Sequence, residues 1–226
     1  VDEDTPQHRV VLCQPVYGHV PPAAHLAQCQ FILHAGTNGL YGIVHARDTY
    51  IDWGRNWCVK MAYDSLGDFT HLLWLDADII PPLDAMERLL AHDKDIVGGL
   101  YHKKGPPFEP VAYDFDLDEG GKAHSTYERT AKLDLESGDL FEVGGLGFGL
   151  TLVKREVVEA IATKMVPGIW FQTTLSYGED VWFCHWAKQL GFSAWLDSSL
   201  RCNHVGDREF TTDDWVEHRD QARMAP

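Results

Sequence analysis

Positive charge is scarce in this sequence. Its 226 residues carry 19 Lys and Arg against 34 Asp and Glu, a formal net charge of −15. So acidic a surface repels nucleic acid at long range unless a local basic patch overrides it, and an anionic substrate would need a cation beside it. No apolar run is long enough to cross a membrane, and no secretory signal pattern is present. The five cysteines (Cys13, Cys29, Cys58, Cys184, Cys202) are odd in number, widely spaced and form no CxxC. That argues against a disulfide framework and for buried thiols in a reducing compartment. Internal repeats and low-complexity segments are lacking too. Together the absences fit a cytoplasmic protein that binds a metal-neutralised small ligand. The chain opens on Val1 rather than Met, which leaves its true start open.

What is present suits a single α/β domain over residues 1–226. Hydrophobic residues make up 45%, enough for a full core, and eight Trp predict aromatic walls around a core or cleft. Residues 8–18, 39–46, 69–76 and 95–101 read as strands. Residues 21–36, closed by Gly36, 49–66 and 82–93, opened by proline, read as helices. The alternation predicts parallel strands joined by right-handed crossovers, with ligands beyond the carboxyl ends of the strands. Turn signals at Gly105-Pro106-Pro107, Glu119-Gly120-Gly121 and Ser137-Gly138 then break 102–145 into short strands. Residues 149–162 pass from strand to helix, 176–191 form a helix capped by Gly191, 193–206 give two short strands, and Thr212 opens a last helix.

Candidate chemistry gathers at the ends of these elements. "HLLWLDADIIPP" (71–82) ends an apolar strand with Asp76 and Asp78, and hard cations bind such carboxylates while sharing phosphate oxygens of a substrate. A solvated strand end is the plainer account of so short a pattern. Glu179 and Asp180 open a helix, where the macrodipole favours acidic residues, and they also suit a general base. His204 ends "LRCNHVG", either as a satisfied polar residue or as a partner of the carboxylates in a metal shell. Arg55 lies mid-helix among apolar residues, as a salt-bridged arginine or a fork for phosphate. Lys103 and Lys104 mark an exposed turn or neutralise a phosphate.

In order and spacing, "VVLCQPVYG", "YIDWGRNWCV", "HLLWLDADIIPP", "VGGLGFGLTLVKREV", "YGEDVWFCHWAKQLG" and "LRCNHVG" resemble the GT-A-fold glycosyltransferases, over roughly residues 9–206. The compact form looks like the small bacteriophage and large-virus enzymes. The resemblance implies a nucleotide-sugar-binding half (9–101) with a mostly parallel mixed sheet, an acceptor-side half (102–206) with small extra strands, and a C-terminal helix or tail (207–226). It implies that Asp78 and His204 hold Mn2+ or Mg2+, with Asp76 on the ribose or a metal-bound water. Pro15, Tyr17, Asp48 and Arg55 would help hold the nucleoside of a UDP- or GDP-type donor. Gly145, Gly147, Phe148 and Gly149 would line the sugar and acceptor face, with Trp170 as a stacking platform. Asp180, or else Glu179, would deprotonate the acceptor hydroxyl in an inverting transfer. The acceptor would be a glycan, a small hydroxylated molecule or a hydroxylated base in phage DNA.

Two other readings fit less of the chain. A nucleotidyltransferase of related fold would carry Arg or Lys in the loop after the first strand, which here reads "QPVYGHVPPAAH". A non-catalytic sugar- or nucleotide-binding module would not need both Asp180 and the aspartate pair.

Overall fold

The computed structural model describes residues 8–117, 123–125 and 133–224. In chain order the first elements are β1 (Val10–Val16), α1 (Pro22–Ala35), β2 (Leu40–Arg47), α2 (Ile51–Ser65), β3 (His71–Leu75), β4 (Ile79–Ile80), α3 (Ala85–Ala91) and β5 (Ile96–Leu100). There follow β6 (Ala112–Leu117), β7 (Ala123–Ser125), β8 (Leu140–Val143), β9 (Gly145–Leu146), β10 (Leu150–Lys154) and α4 (Arg155–Ala162). The last are α5 (Glu179–Gln189), β11 (Ala194–Arg201), β12 (Asn203–Val205), β13 (Glu209–Phe210) and α6 (Thr212–Met224).

A strand covered on both faces needs apolar residues at every position, and this explains the unbroken runs of β1 and β3. Val11, Cys13, Leu72 and Trp74 point into one core cluster, while Val10, Leu12, Leu73 and Leu75 point into the other. Each such side chain contributes roughly 1.5–3 kcal/mol when fully buried. Helices α1 and α3 cover one face through Phe31, Ala35, Met86 and Leu89. Helices α2, α4 and α5 cover the other through Cys58, Val59, Val157, Ile161 and Phe183.

The central sheet has seven strands in the order β2-β1-β3-β10-β5-β11-β8. Strands β1, β2, β3, β5 and β11 run one way, and β10 and β8 run against them. The α/β class expected from the sequence is therefore present. One arrangement was not visible in the alternation: β10 wedges antiparallel between β3 and β5, pairing Leu150 with Leu75 and Lys154 with His71. An apolar run states that a strand is buried, not which neighbours it has.

Local boundaries shift for simple reasons. Gly36 caps α1 as expected, with a helical φ of −59°, and the chain then passes Gly39, whose φ of +100° suits glycine. Pro82 starts a turn rather than a helix, with the Ala85 N–H bonded to its carbonyl at 3.2 Å, so α3 begins at Ala85. Gly191, at φ +92°, follows α5 as expected. The turn expected at Glu119-Gly120-Gly121 lies outside the described residues. Two three-stranded sheets flank the main one, β13-β12-β4 and β7-β6-β9. Among the described residues no helix is long and apolar enough to cross a membrane.

Candidate active site

The aspartate segment leaves β3 at Asp76, where the backbone N–H bonds the Gly149 carbonyl at 2.9 Å. Three residues later β4 begins and pairs antiparallel with β12, setting Ile79 opposite His204 and Ile80 opposite Asn203. The Val205 N–H closes the join on the Asp78 carbonyl at 2.7 Å. This short ladder brings together Asp78 and His204, which are far apart in sequence. Their side chains meet with His204 Nε2 3.5 Å from Asp78 Oδ2.

The imidazole is oriented from behind. Its Nδ1 lies 2.8 Å from the His102 carbonyl, which can only accept, so Nδ1 carries the proton. Nε2 faces the carboxylate, as a donor when the ring is protonated and as a lone pair for a cation when it is not. Tyr101 holds the ring edge-on, with centroids 5.5 Å apart. The Lys104 ammonium already reaches the same Asp78 oxygen at 2.5 Å. Burial pushes the Asp78 carboxyl up, but His204 and Lys104 outweigh it and bring it down to about 2.

Asp76 has a different partner. Arg55 is buried, and its Nη2 lies 3.2 Å from one Asp76 oxygen and 3.3 Å from the other. Its Nε donates to Glu179 Oε1 at 2.9 Å. The guanidinium lies over the neighbouring rings of Trp74 and Phe148, 5.3 and 5.6 Å from their centroids. Burial alone would favour a neutral Arg55; the Asp76 and Glu179 charges overcome it and raise its pKa. Burial lifts Asp76 to about 6, with Arg55 pulling it down and Asp78 and Glu179 pushing it up. Beside this triad, burial and then the Glu179 charge push Asp180 up to about 7. Asp180 Oδ1 accepts the Val181 N–H at 2.7 Å.

A cleft of about 620 Å³ opens over the carboxyl ends of β1, β2 and β3. Pro15, Tyr17, Asp76, Asp78 and Lys104 line it, together with His19, Tyr50 and Asp207, which sequence reasoning did not single out. Its volume suits a nucleotide-sized ligand. Tyr17 and Tyr50 stand 83% and 82% exposed at its edge, available to stack a flat ring. Asp48, at φ +53°, accepts the Gly18 N–H at 3.2 Å and so fixes the loop after β1 from outside the cleft. Arg55 does not line the cleft; it ties Asp76 to Glu179.

The glycine segment has a different local role from the expected one. An added Cβ at Gly147 would come within 2.2 Å of the Tyr101 hydroxyl, and at Gly149 within 2.6 Å of its ring. The Gly149 N–H donates to that hydroxyl at 3.0 Å. These glycines make room for Tyr101, the residue that steadies His204. Gly145 pairs with Tyr113 between β9 and β6. Phe148 is fully buried against Trp74, Phe171 and Phe183, so its ring is core. Trp170 stacks on Tyr63 at 6.2 Å and is not on the cleft. The large ring that sequence assigned to stacking is half packed away there.

Asp78 and His204 would suit a hard or borderline divalent cation, offering the carboxylate and imidazole that Mn2+ accepts. Asp76 is turned to Arg55, and among the described residues no group of three His, Cys, Asp or Glu is gathered for a metal. The remaining positions would fall to substrate oxygens and water, as is common for such ions.

No protein-family model matches the chain, and no curated protein matches it. Solved structures do. A197 from STIV matches with a TM-score of 0.60 at 22% identity, covering 91% of each chain. GalNAc-T7, solved with UDP, GalNAc and Mn2+, matches with a TM-score of 0.51 at 13% identity. That match covers 97% of this chain and 48% of the other, so this chain spans about half the length of that protein. At such identities the likeness is one of fold, and that fold is the α/β, GT-A-type arrangement of a mixed, mostly parallel sheet flanked by helices.

Proposed function

We propose that this chain is a metal-dependent glycosyltransferase that moves a sugar from a UDP- or GDP-type donor to an acceptor hydroxyl. The observation that carries the reading is the meeting of Asp78, which lines the cleft of about 620 Å³, with His204, oriented by β4, β12 and the His102 carbonyl. Tyr17 and Tyr50 would flank the base. Asp76, fixed by Arg55, would face the ribose or a metal-bound water. Asp78 and His204 would hold Mn2+ or Mg2+, which when bound supplies charge to stabilise the leaving diphosphate. Lys104, held at Asp78 in the free protein, would turn to the phosphates.

Glu179 is committed to Arg55, which leaves Asp180 as the base. A carboxylate lifted to about 7 is matched to taking a proton near neutral pH. With one oxygen engaged by the Val181 N–H, the other would receive the acceptor proton in an inverting displacement. The net charge of −15 favours an uncharged acceptor such as a glycan over DNA.

The position of Lys104 favours one competing reading, in which its ammonium replaces the metal throughout the cycle. Calorimetry with UDP, with Mn2+ and with EDTA, separates them. The metal-dependent reading expects UDP binding that requires Mn2+ and is lost in both Asp78→Ala and His204→Ala. Unchanged affinity in both variants would remove the metal assignment, and metal-independent binding lost in Lys104→Ala would install the second reading.

A further inference from the structure

Most tryptophans here pack inside: Trp74, Trp182 and Trp215 are buried, and Trp170, Trp186 and Trp195 are partly so. Trp53 and Trp57 differ. They are 71% and 52% exposed, and they stand four residues apart on α2, so their indoles neighbour one another on one helix face. Opposite them runs the segment 168–173, and between the two lies a groove of about 520 Å³. Contiguous exposed apolar surface of this kind marks a contact site more often than chance.

The groove is built rather than incidental. Asn56 lies between the two tryptophans in sequence and clamps the far wall. Its Nδ2 donates to the Phe171 carbonyl at 2.8 Å, and its Oδ1 accepts the Trp170 and Phe171 N–H groups at 2.7 and 2.9 Å. Asp52 Oδ2 adds a bond from the Thr173 N–H at 3.3 Å. Four hydrogen bonds therefore hold the two walls at a fixed separation, so a ligand would pay little to order them.

The lining also selects the kind of occupant. The lining sets the two tryptophans of α2 across from a segment that includes the polar residues Gln172 and Thr173. The charges balance, one Asp52 against one Lys60, and Lys60 is itself paired with Asp64. A groove without excess cation, on a protein of net charge −15, does not suit a polyanion. A neutral sugar chain presents apolar C–H faces to stack on indole and hydroxyls at its rim, which matches this surface.

Position completes the argument. The first turn of α2 and the residue before it give Tyr50 and Ile51 to the cleft, and the next two residues, Asp52 and Trp53, line the groove. The opposite wall continues through the turn at Thr174, whose N–H bonds the Tyr177 carbonyl at 2.9 Å, into Asp180. The groove thus adjoins the cleft along α2, and its opposite wall runs on in sequence toward the proposed base. We infer that it is an acceptor subsite, in which a neutral oligosaccharide stacks on Trp53 and Trp57 while a remote hydroxyl reaches Asp180. The word acceptor rests on the proposed transfer reaction; the sugar-binding site itself does not.

The test is an array of neutral oligosaccharides probed with the full chain, with Trp53→Ala, with Trp57→Ala and with the Trp53→Phe/Trp57→Phe pair. UDP and Mn2+ calorimetry and sedimentation are run on each. The inference expects a glycan signal that falls at least tenfold in either alanine variant and is largely kept with phenylalanine, with UDP affinity unchanged throughout. No glycan bound above the alanine variants, equal binding by all variants, or an alanine variant that instead dissolves a dimer would each overturn it. Glycan binding lost in the alanine variants without any UDP binding would overturn the donor reading and leave the groove assigned.

Discussion

Arg55 offers the sharpest test of how this site is held, because its surroundings set both the size and the pH dependence of its removal. Its side chain is 2% exposed, and its two carboxylate partners come from opposite parts of the chain. Arg55→Met keeps much of the volume against Trp74 and Phe148 but leaves Asp76 and Glu179 without a counter-charge. Breaking a buried pair from one side costs about 3–5 kcal/mol. At about 2–4 °C per kcal/mol for a chain of this size, the melting temperature at pH 8 is expected to fall by about 6–20 °C. The sign with pH follows from Asp76, which sits near 6 even with Arg55 pulling it down. Without Arg55 its folded pKa rises further above the ordinary value. The stability of the variant is then lost as pH rises through that folded pKa and is regained as pH falls below it. The deficit at pH 5 should therefore be clearly smaller than at pH 8. Adding Asp76→Asn and Glu179→Gln removes the stranded charges and should restore much of the loss. Differential scanning calorimetry reads all of this. A fall under 2 °C, or a deficit equal at both pH values, would refute the account of Arg55 as the counter-ion of the triad.

Two further predictions concern the groups around it. Lys104 is a half-exposed cation at the place where Mn2+ would bind, and an ion pair of that exposure contributes about 0.2–1 kcal/mol. Lys104→Ala should therefore strengthen Mn2+ binding in the absence of nucleotide by up to about five-fold, read by calorimetry; unchanged or weaker binding would show that the lysine does not compete. Asp180→Asn should abolish transfer yet stabilise the fold. Asp180 is protonated in both states below its ordinary 3.8, and keeping the charged form buried costs stability as pH rises from there to about 7. The gain in melting temperature should be absent at pH 4 and reach at least about 2–4 °C, or about 1 kcal/mol, at pH 8; a gain at pH 4 equal to that at pH 8 would contradict the assignment.

Much of the scaffold was legible because burial on two faces writes itself locally. The run His71–Leu75 has no polar break, and its residues divide alternately between the two cores. The strand-end position of Asp76 and Asp78 followed from that. What the sequence could not carry was partnership across long separations. Asp78 meets His204 through a two-residue strand, β4, too short to leave a periodic signal. Arg55 could be read as a phosphate fork or a salt-bridged residue; only the arrival of Glu179 at 2.9 Å decides what it holds here. Tyr101 gave no signal beyond ending a strand, although the close fit of Gly147 and Gly149 around it explains their lack of side chains better than sugar approach does. Trp170 and Phe148 illustrate the same limit for aromatic rings. Whether an indole is wall or platform depends on what packs over it, so stacking surface turned up at Trp53 and Trp57 instead.

The two aspartates of one short motif end up on separate supports, and this separation has a mechanical consequence. Asp76 is fixed from below, through Arg55, to the helix that carries Asp180. Asp78 is fixed from the side, through His204 and Tyr101, to the Gly147–Gly149 turn that enters β10. The turn returns to the motif through the bond from the Asp76 N–H to the Gly149 carbonyl, which joins the two supports at one peptide. A shift of the glycine turn would therefore move His204 and Asp76 together, whereas a shift of α5 would reach Asp76 and Asp180 first. Such an arrangement ties Asp76 and Asp78 together to the helix that carries Asp180. The crowding at Gly147 and Gly149 belongs to the same joint, since an added Cβ at either would meet the Tyr101 side chain.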